Sequence, residues 1–191
     1  SNAISVSDAA RLLRARGIAM QQAVPVGVGA MAAILGLDFA TVQSLASEAQ
    51  AKGVCQAAND NDPSQVVISG EKTAVEVAIE LAKNSGAKRA IMLPVSAPFH
   101  CELMAPAAEK MKMELETTRI EQPIVPIVSN VSAQAISDPA EIKELLVSQV
   151  TGSVRWRESI LWMAKNNVDE IWEIGSGKAL SGMIRRIDKN I

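Results

Sequence analysis

Cysteine, histidine, net charge and long apolar runs are all scarce in this 191-residue chain, and each scarcity removes a class of function. The two cysteines, Cys55 and Cys101, stand far apart without CxxC spacing, which argues against a zinc site and against a disulfide framework. A reducing cytoplasm is the compartment expected. A formal charge of only -2 gives no basic field for a phosphate backbone, so no nucleic-acid partner is expected. No apolar run reaches spanning length, so no membrane partner is expected either. What is abundant is apolar side chain, 48% of residues, enough for a real core arranged as one large or two small domains.

The single histidine, His100, is the informative exception. It lies in Val95-Ser96-Ala97-Pro98-Phe99-His100-Cys101, where an apolar strand pattern stops and a helix pattern begins. Such junctions are where α/β enzymes keep reactive side chains, although a lone histidine is also often a packed or surface residue. Cys101 adjoins it and reads as small packing, not as a thiolate.

Ser1-Asn2-Ala3 looks like the scar of a cleaved tag (residues 1–3), and there is no initiator methionine. A helix pattern follows at once over residues 8–22, with Ala9, Leu12, Leu13 and Met20 expected on one face. Nothing precedes that helix for it to pack on, so the chain is expected to begin inside a larger protein.

The segment from 27 to 95 reads as β-α-β-β-α-β, the split βαβ or ferredoxin-like order. Its strands are expected at 29–35, 54–58, 65–69 and 90–95. Asp38 caps the first helix, and Asn59-Asp60-Asn61-Asp62-Pro63 serves as a turn between the middle strands. Beyond His100, a helix opens with Pro106 and carries Met104, Ala108, Met111 and Leu115 on one stripe, a spacing that core packing explains. Strands are expected at 124–131 and 170–174, with helices capped by Asp138, near 156–166 and around Leu180, Met183 and Ile184. Strands alternating with helices imply part of a parallel α/β sheet.

Three motif matches fail on their own chemistry. Gly177-Lys178-Ala179 resembles a P-loop end, but Trp172 stands at the leading glycine position and Ala179 where a magnesium-binding hydroxyl belongs. Asp60 to Glu71 mimics calcium-loop spacing with Gln65 in place of the required glycine. Ser44 resembles an elbow nucleophile stripped of its glycines, inside a helix pattern.

Five further segments occur in order: Leu12-Leu13-Arg14-Ala15-Arg16-Gly17 with Met20-Gln21, Gly29-Ala30-Met31-Ala32-Ala33-Ile34, the run from Asn59 to Gly70, Ser96-Ala97-Pro98-Phe99-His100, and Glu173-Ile174-Gly175-Ser176-Gly177-Lys178. Together they resemble the bacterial malonyl-CoA:acyl carrier protein transacylase family from about residue 4 to the C-terminus. The resemblance implies malonyl transfer from coenzyme A to the phosphopantetheine thiol of acyl carrier protein, in fatty acid synthesis, through a serine acyl-enzyme. No cofactor is implied beyond the coenzyme A thioester, which is a substrate, and no metal. The implied architecture is α/β: residues 4–26 a core helix, 27–95 a ferredoxin-like small subdomain, and 96–191 the C-terminal part of an α/β-hydrolase-like acyltransferase core.

The same resemblance assigns roles. His100 matches the histidine that acts as base and then acid. Gln149 matches a residue whose backbone carbonyl orients the imidazole. Arg16 matches the arginine that grips the malonyl carboxylate, a task suited to a guanidinium fork, whereas outside the family it reads as a solvated helix arginine. Met20 falls among the substrate-binding positions, and Phe99 at the wall that excludes an α-methyl group. Asn59 and Asn61 match asparagines that line the cleft between subdomains, or form the turn. Lys88, Arg89, Arg185, Arg186 and Lys189 are candidates for docking an acidic carrier.

The family's GxSxG elbow and oxyanion-hole segment precede residue 4 in its order, and this sequence contains neither. The chain is therefore expected to be inactive alone. Two other readings remain open: a ferredoxin-like ligand-binding module, and a non-catalytic scaffold that binds acyl carrier protein.

Overall fold

Ser5 opens the first helix by accepting the Asp8 N–H on its side-chain oxygen at 3.0 Å, and α1 then runs Val6–Ala23 in the computed structural model, which describes residues 1–191. Leu12, Ala19 and Met20 are buried, but Leu13 is 67% exposed, so the expected apolar face is rotated. At 100° per residue, Leu13 falls at the margin of a stripe centred on residues 12, 16, 19 and 20. The partner of that stripe comes from later in the chain.

Strand β1 (Gly29–Leu35) is buried on both faces. Asp38 caps α2 (Phe39–Ala49) by accepting from Thr41 N, and a 3-10 turn over Gln50–Lys52 leads to β2 (Cys55–Asp62). After β3 (Gln65–Glu71) come α3 (Lys72–Asn84) and the short β4 (Arg89–Met92). The strands form one sheet in the order β2-β3-β1-β4, each adjacent pair antiparallel. Ala32, Ile34, Val66 and Ile68 bury against α2 and α3, while Met31, Ala33, Ala58 and Val67 cover the opposite face. Alternation along each strand dictates this division.

The asparagine-aspartate run is not a turn. Residues 59–62 belong to β2, with register shifts between Ala57 and Asn59 and between Asp60 and Asp62, and the connection to β3 shrinks to Pro63-Ser64. Two aspartates this deep require partners from elsewhere, which the local sequence does not reveal. The Arg157 guanidinium reaches Asp60 at 2.9–3.0 Å, and Arg186 reaches Asp62 at 2.8 Å.

Past the sheet, a 3-10 turn (Glu102–Met104) runs into α4 (Ala105–Glu116), with Pro106 in its first turn. Met104, Ala107, Met111 and Leu115 pack on Leu12, Ala19 and Met20, so the methionine stripe is core and α1 finds its partner here. Only Ile127–Val128 (β5) and Ala135–Ile136 (β6) pair, as a short antiparallel hairpin. The expected strand over 170–174 is irregular, with Trp172 75% and Ile174 91% exposed. The expected parallel sheet is absent from these residues: Ile127–Val128 pairs only with its antiparallel hairpin partner, and no strand pairs with 170–174. Helices α5 (Pro139–Thr151, capped by Asp138), α6 (Trp156–Lys165) and α7 (Ala179–Ile187) complete the chain. No helix is long and apolar enough to cross a membrane.

The two regions meet along β2. Asp60 N donates to the Val154 carbonyl at 2.9 Å and Val154 N to the Ala58 carbonyl at 2.8 Å, which fastens the α5–α6 connection to the strand. The Arg157–Asp60 and Arg186–Asp62 pairs add α6 and α7 to the same strand.

Candidate active site

His100 adopts φ 60°, the left-handed region that few non-glycine residues occupy. Its turn is held from several sides. Phe99 N donates to the Ala97 carbonyl at 3.1 Å, and the Cys101 thiol to the Pro98 carbonyl at 3.2 Å. Beneath it, Gly29 lets Pro98 approach: a Cβ there would fall 2.3 Å from the Pro98 ring.

The imidazole is turned toward the end of α5. The last carbonyls of a helix have no intrahelical partner, and two carbonyls at this terminus point at His100 Nδ1: Gln149 O at 2.9 Å and Gly152 O at 3.1 Å. Carbonyls only accept, so Nδ1 carries the hydrogen and Nε2 of the neutral ring keeps its lone pair. Burial lowers the His100 pKa from its ordinary 6.5, the Arg16 charge lowers it further, and the two carbonyls work in the opposite direction. The ring is therefore neutral at pH 7 and able to take a proton at Nε2.

Arg16 sits on the half-buried stripe of α1, one turn from Leu12 and one from Met20. It makes no hydrogen bond or salt bridge, whereas Arg155, Arg157 and Arg186 all hold carboxylates. Burial pulls its pKa down from the ordinary value, although a guanidinium stays charged in proteins. A half-buried, unpaired guanidinium whose charge reaches the imidazole offers two parallel N–H donors that a carboxylate can accept.

The other expected site residues divide. Met20 is 3% exposed and buried with Ala97 and Met104, so it packs under the site instead of opening into it. Phe99, partly buried, packs against both that cluster and the Met31–Val67 face of the sheet. Asn59 and Asn61 lie half-buried in β2, and Asn59 sits opposite Val154, held there by the backbone bonds of its neighbours Ala58 and Asp60. A cavity of about 300 Å³ adjoins His100, bounded by Cys55, Gln56, Thr151, Gly152 and Ser153 and by α2. Neither cysteine supplies a thiolate, since burial pushes Cys55 up to about 12 and raises Cys101 as well.

Arg186 is exposed, as Lys88, Arg89, Arg185 and Lys189 are, but its Nε donates to the buried Asp62 at 2.8 Å. The Gly152 carbonyl escaped the sequence reading, although a glycine closing a capped helix signals free carbonyls. Glu173, in the segment that mimicked a P-loop, fills the start of α7 by accepting from Leu180 N at 3.1 Å and Ser181 N at 2.9 Å.

Comparison with known proteins agrees with the resemblance seen in the sequence. The malonyl CoA-acyl carrier protein transacylase of Bacillus subtilis is 46% identical over 192 residues, covering all of this chain and 61% of that protein. Its Escherichia coli counterpart is 46% identical over 184 residues, covering 96% and 60% respectively. The crystal structure of acyl-carrier-protein-S-malonyltransferase from Bartonella henselae superposes with a TM-score of 0.97 at 55% identity, covering all of this chain and 60% of that one. A malonyl-transacylase in complex with a type II PKS acyl-carrier protein superposes at 0.96 with 40% identity, covering 98% and 61%. The chain thus spans about 60% of the length of these relatives. Since the profile of the acyl transferase domain matches residues 1–186 of a mixed α/β chain that places a neutral imidazole near an unpaired arginine, the chain belongs to the acyl transferase domain family.

Proposed function

We propose that this chain carries the proton-shuttle and carboxylate-binding half of a malonyl-CoA:acyl carrier protein transacylase. The observation that carries the reading is His100 Nδ1 fixed on the Gln149 carbonyl at 2.9 Å, with the unpaired Arg16 close enough for its charge to lower the imidazole pKa. Nε2 removes the proton from a serine hydroxyl as that oxygen attacks the malonyl thioester carbonyl. The resulting imidazolium protonates the departing coenzyme A sulfur. In the second half, Nε2 takes the proton of the phosphopantetheine thiol, whose sulfur attacks the serine ester, and the serine oxygen recovers the proton. Arg16 holds the malonyl carboxylate throughout, Phe99 bounds the α-carbon, and Asn59 and Asn61 line the cleft. The 191 residues contain no GxSxG turn, so the serine belongs to the remainder of the enzyme.

In this reading, residues 27–95 are a ferredoxin-like small subdomain, and 4–26 with 96–191 belong to an α/β-hydrolase-like core. The enzyme works in the cytoplasm with a coenzyme A thioester as substrate and no cofactor. The acidic carrier protein docks on exposed cations such as Lys88, Arg89, Arg185 and Lys189. A ligand-binding module or an inert carrier scaffold would leave the His100 and Arg16 arrangement without a purpose.

The test is malonyl transfer in the full-length enzyme. His100→Ala should cost roughly 10²- to 10⁴-fold in turnover. The isolated 191-residue chain should acquire no malonyl adduct by mass spectrometry. A His100→Ala enzyme near wild-type rate, or a malonyl adduct on any residue of the isolated chain, would overturn the reading.

A further inference from the structure

The residue that begins the helical run after His100 needs a hydrogen-bond acceptor that its own neighbourhood does not provide. Cys101 occupies the N-cap position without a side-chain cap, because its thiol is turned to the Pro98 carbonyl. A helix start leaves its first N–H groups orphaned, and serine, threonine, aspartate or asparagine normally fills this place. Here the acceptor comes from 46 residues away: the Glu102 N–H donates to Gln56 Oε1 at 2.7 Å.

Gln56 lies in β2, the strand that also grips the other half of the His100 hydrogen bond. Ala58 and Asp60 bind Val154 through the backbone at 2.8 and 2.9 Å, two residues beyond the Gly152 carbonyl that faces Nδ1. One strand therefore locates both the turn that carries the imidazole and the carbonyls that orient it. That turn is left-handed at His100, a conformation that persists only when its surroundings enforce it.

We propose that Gln56 is a positioning residue for His100: its side-chain carbonyl caps the Glu102 N–H and so holds the imidazole where Nδ1 meets Gln149 and Gly152. The inference rests on the reading of His100 as the proton shuttle. Gln56 itself touches no reacting atom.

Two variants separate positioning from bulk: Gln56→Met keeps the length and removes the acceptor, while Gln56→Glu keeps an acceptor oxygen. Because the chain has one histidine, nitrogen-15 resonances of the imidazole in the 191-residue chain report His100 alone. Wild type and Gln56→Glu should show the neutral ring with hydrogen on Nδ1. Gln56→Met should shift the population toward the Nε2–H form that water favours and bring the titration midpoint toward 6.5. In the full-length enzyme, Gln56→Met should lower kcat by roughly ten- to a hundredfold with KM little changed, the cost of a misplaced reactive group. Gln56→Glu should recover most of that loss. An unchanged tautomer in Gln56→Met would overturn the proposal, as would Gln56→Glu behaving like Gln56→Met. A shifted tautomer with unaltered turnover would instead uphold the positioning and defeat the proton-shuttle reading.

Discussion

Gln149 and His100 are 49 residues apart in the chain, yet the glutamine's backbone oxygen lies 2.9 Å from the imidazole Nδ1. Since the contact is made by main chain, the side chain at 149 is dispensable. Gln149→Ala in the full-length enzyme should leave turnover within a few-fold of wild type. A loss comparable to that of His100→Ala would mean that the side chain, not the carbonyl, does the orienting.

The His100 environment also sets a pH dependence. Its folded pKa lies below the ordinary 6.5, with burial the leading cause and Arg16 the leading charge. Between those two values the unfolded chain binds more protons than the folded one, so stability falls as pH drops through that window and levels off below it. Histidine resonances of the chain should titrate below 6.5, and Arg16→Ala should raise the midpoint by removing the nearby charge. A midpoint at or above 6.5 in the wild-type chain, or one unmoved by Arg16→Ala, would contradict this electrostatic picture.

The two arginine pairs on β2 differ in what they leave behind when broken. Arg157→Met strands the Asp60 carboxylate, which is 1% exposed and has no other side-chain partner, at a cost of about 3 kcal/mol. Arg186→Met leaves Asp62 still accepting from Ser64 N at 2.9 Å and Ser64 Oγ at 3.2 Å, and the loss should be about 1–2 kcal/mol. Denaturant unfolding of both variants measures the difference. Equal losses would show that the local serine contacts do not substitute for the arginine.

Glycine-to-alanine substitution should act in opposite directions at two sites. At Gly29 the new Cβ would lie 2.3 Å from the buried Pro98 ring, forcing the His100 turn aside and costing about 1–3 kcal/mol. At Gly17, inside α1, no atom lies within 4 Å of the new methyl, and stability should rise by about 0.5–1 kcal/mol. Thermal melts of the two variants check the signs.

Local chemistry made much of the fold legible in the sequence. The caps at Asp38 and Asp138, the Pro106 helix start and the two helices packed on the sheet all follow from short-range rules. Asn59 to Asp62 misled because consecutive polar residues normally mark a turn, and the arginines that pair with the buried Asp60 and Asp62, Arg157 and Arg186, are distant in sequence. The segments at 124–131 and 170–174 carry strand-like residues, but strands exist by pairing and most of these residues have no partner here. In the site, His100 stands out as the lone histidine at a strand-to-helix junction, whereas Gln149 and Arg16 are accessible only through family resemblance. Gln56 and Gly152 are accessible by neither route, because they act through a long-range contact and a backbone atom that leave little trace in residue type.

In the proposed function, Arg16 receives the carboxylate of the substrate. Removing one partner of a buried ion pair costs roughly 3–5 kcal/mol, or about two to four orders of magnitude in specificity constant. Acetyl-CoA offers no carboxylate, so the decisive measurement is the ratio of kcat/KM for malonyl-CoA to that for acetyl-CoA in the full-length enzyme. Arg16→Ala should collapse this ratio by at least about a hundredfold, with Arg16→Lys intermediate because an ammonium provides charge without the fork. A ratio that barely moves would show that Arg16 is not the carboxylate clamp and would contradict the malonyl assignment.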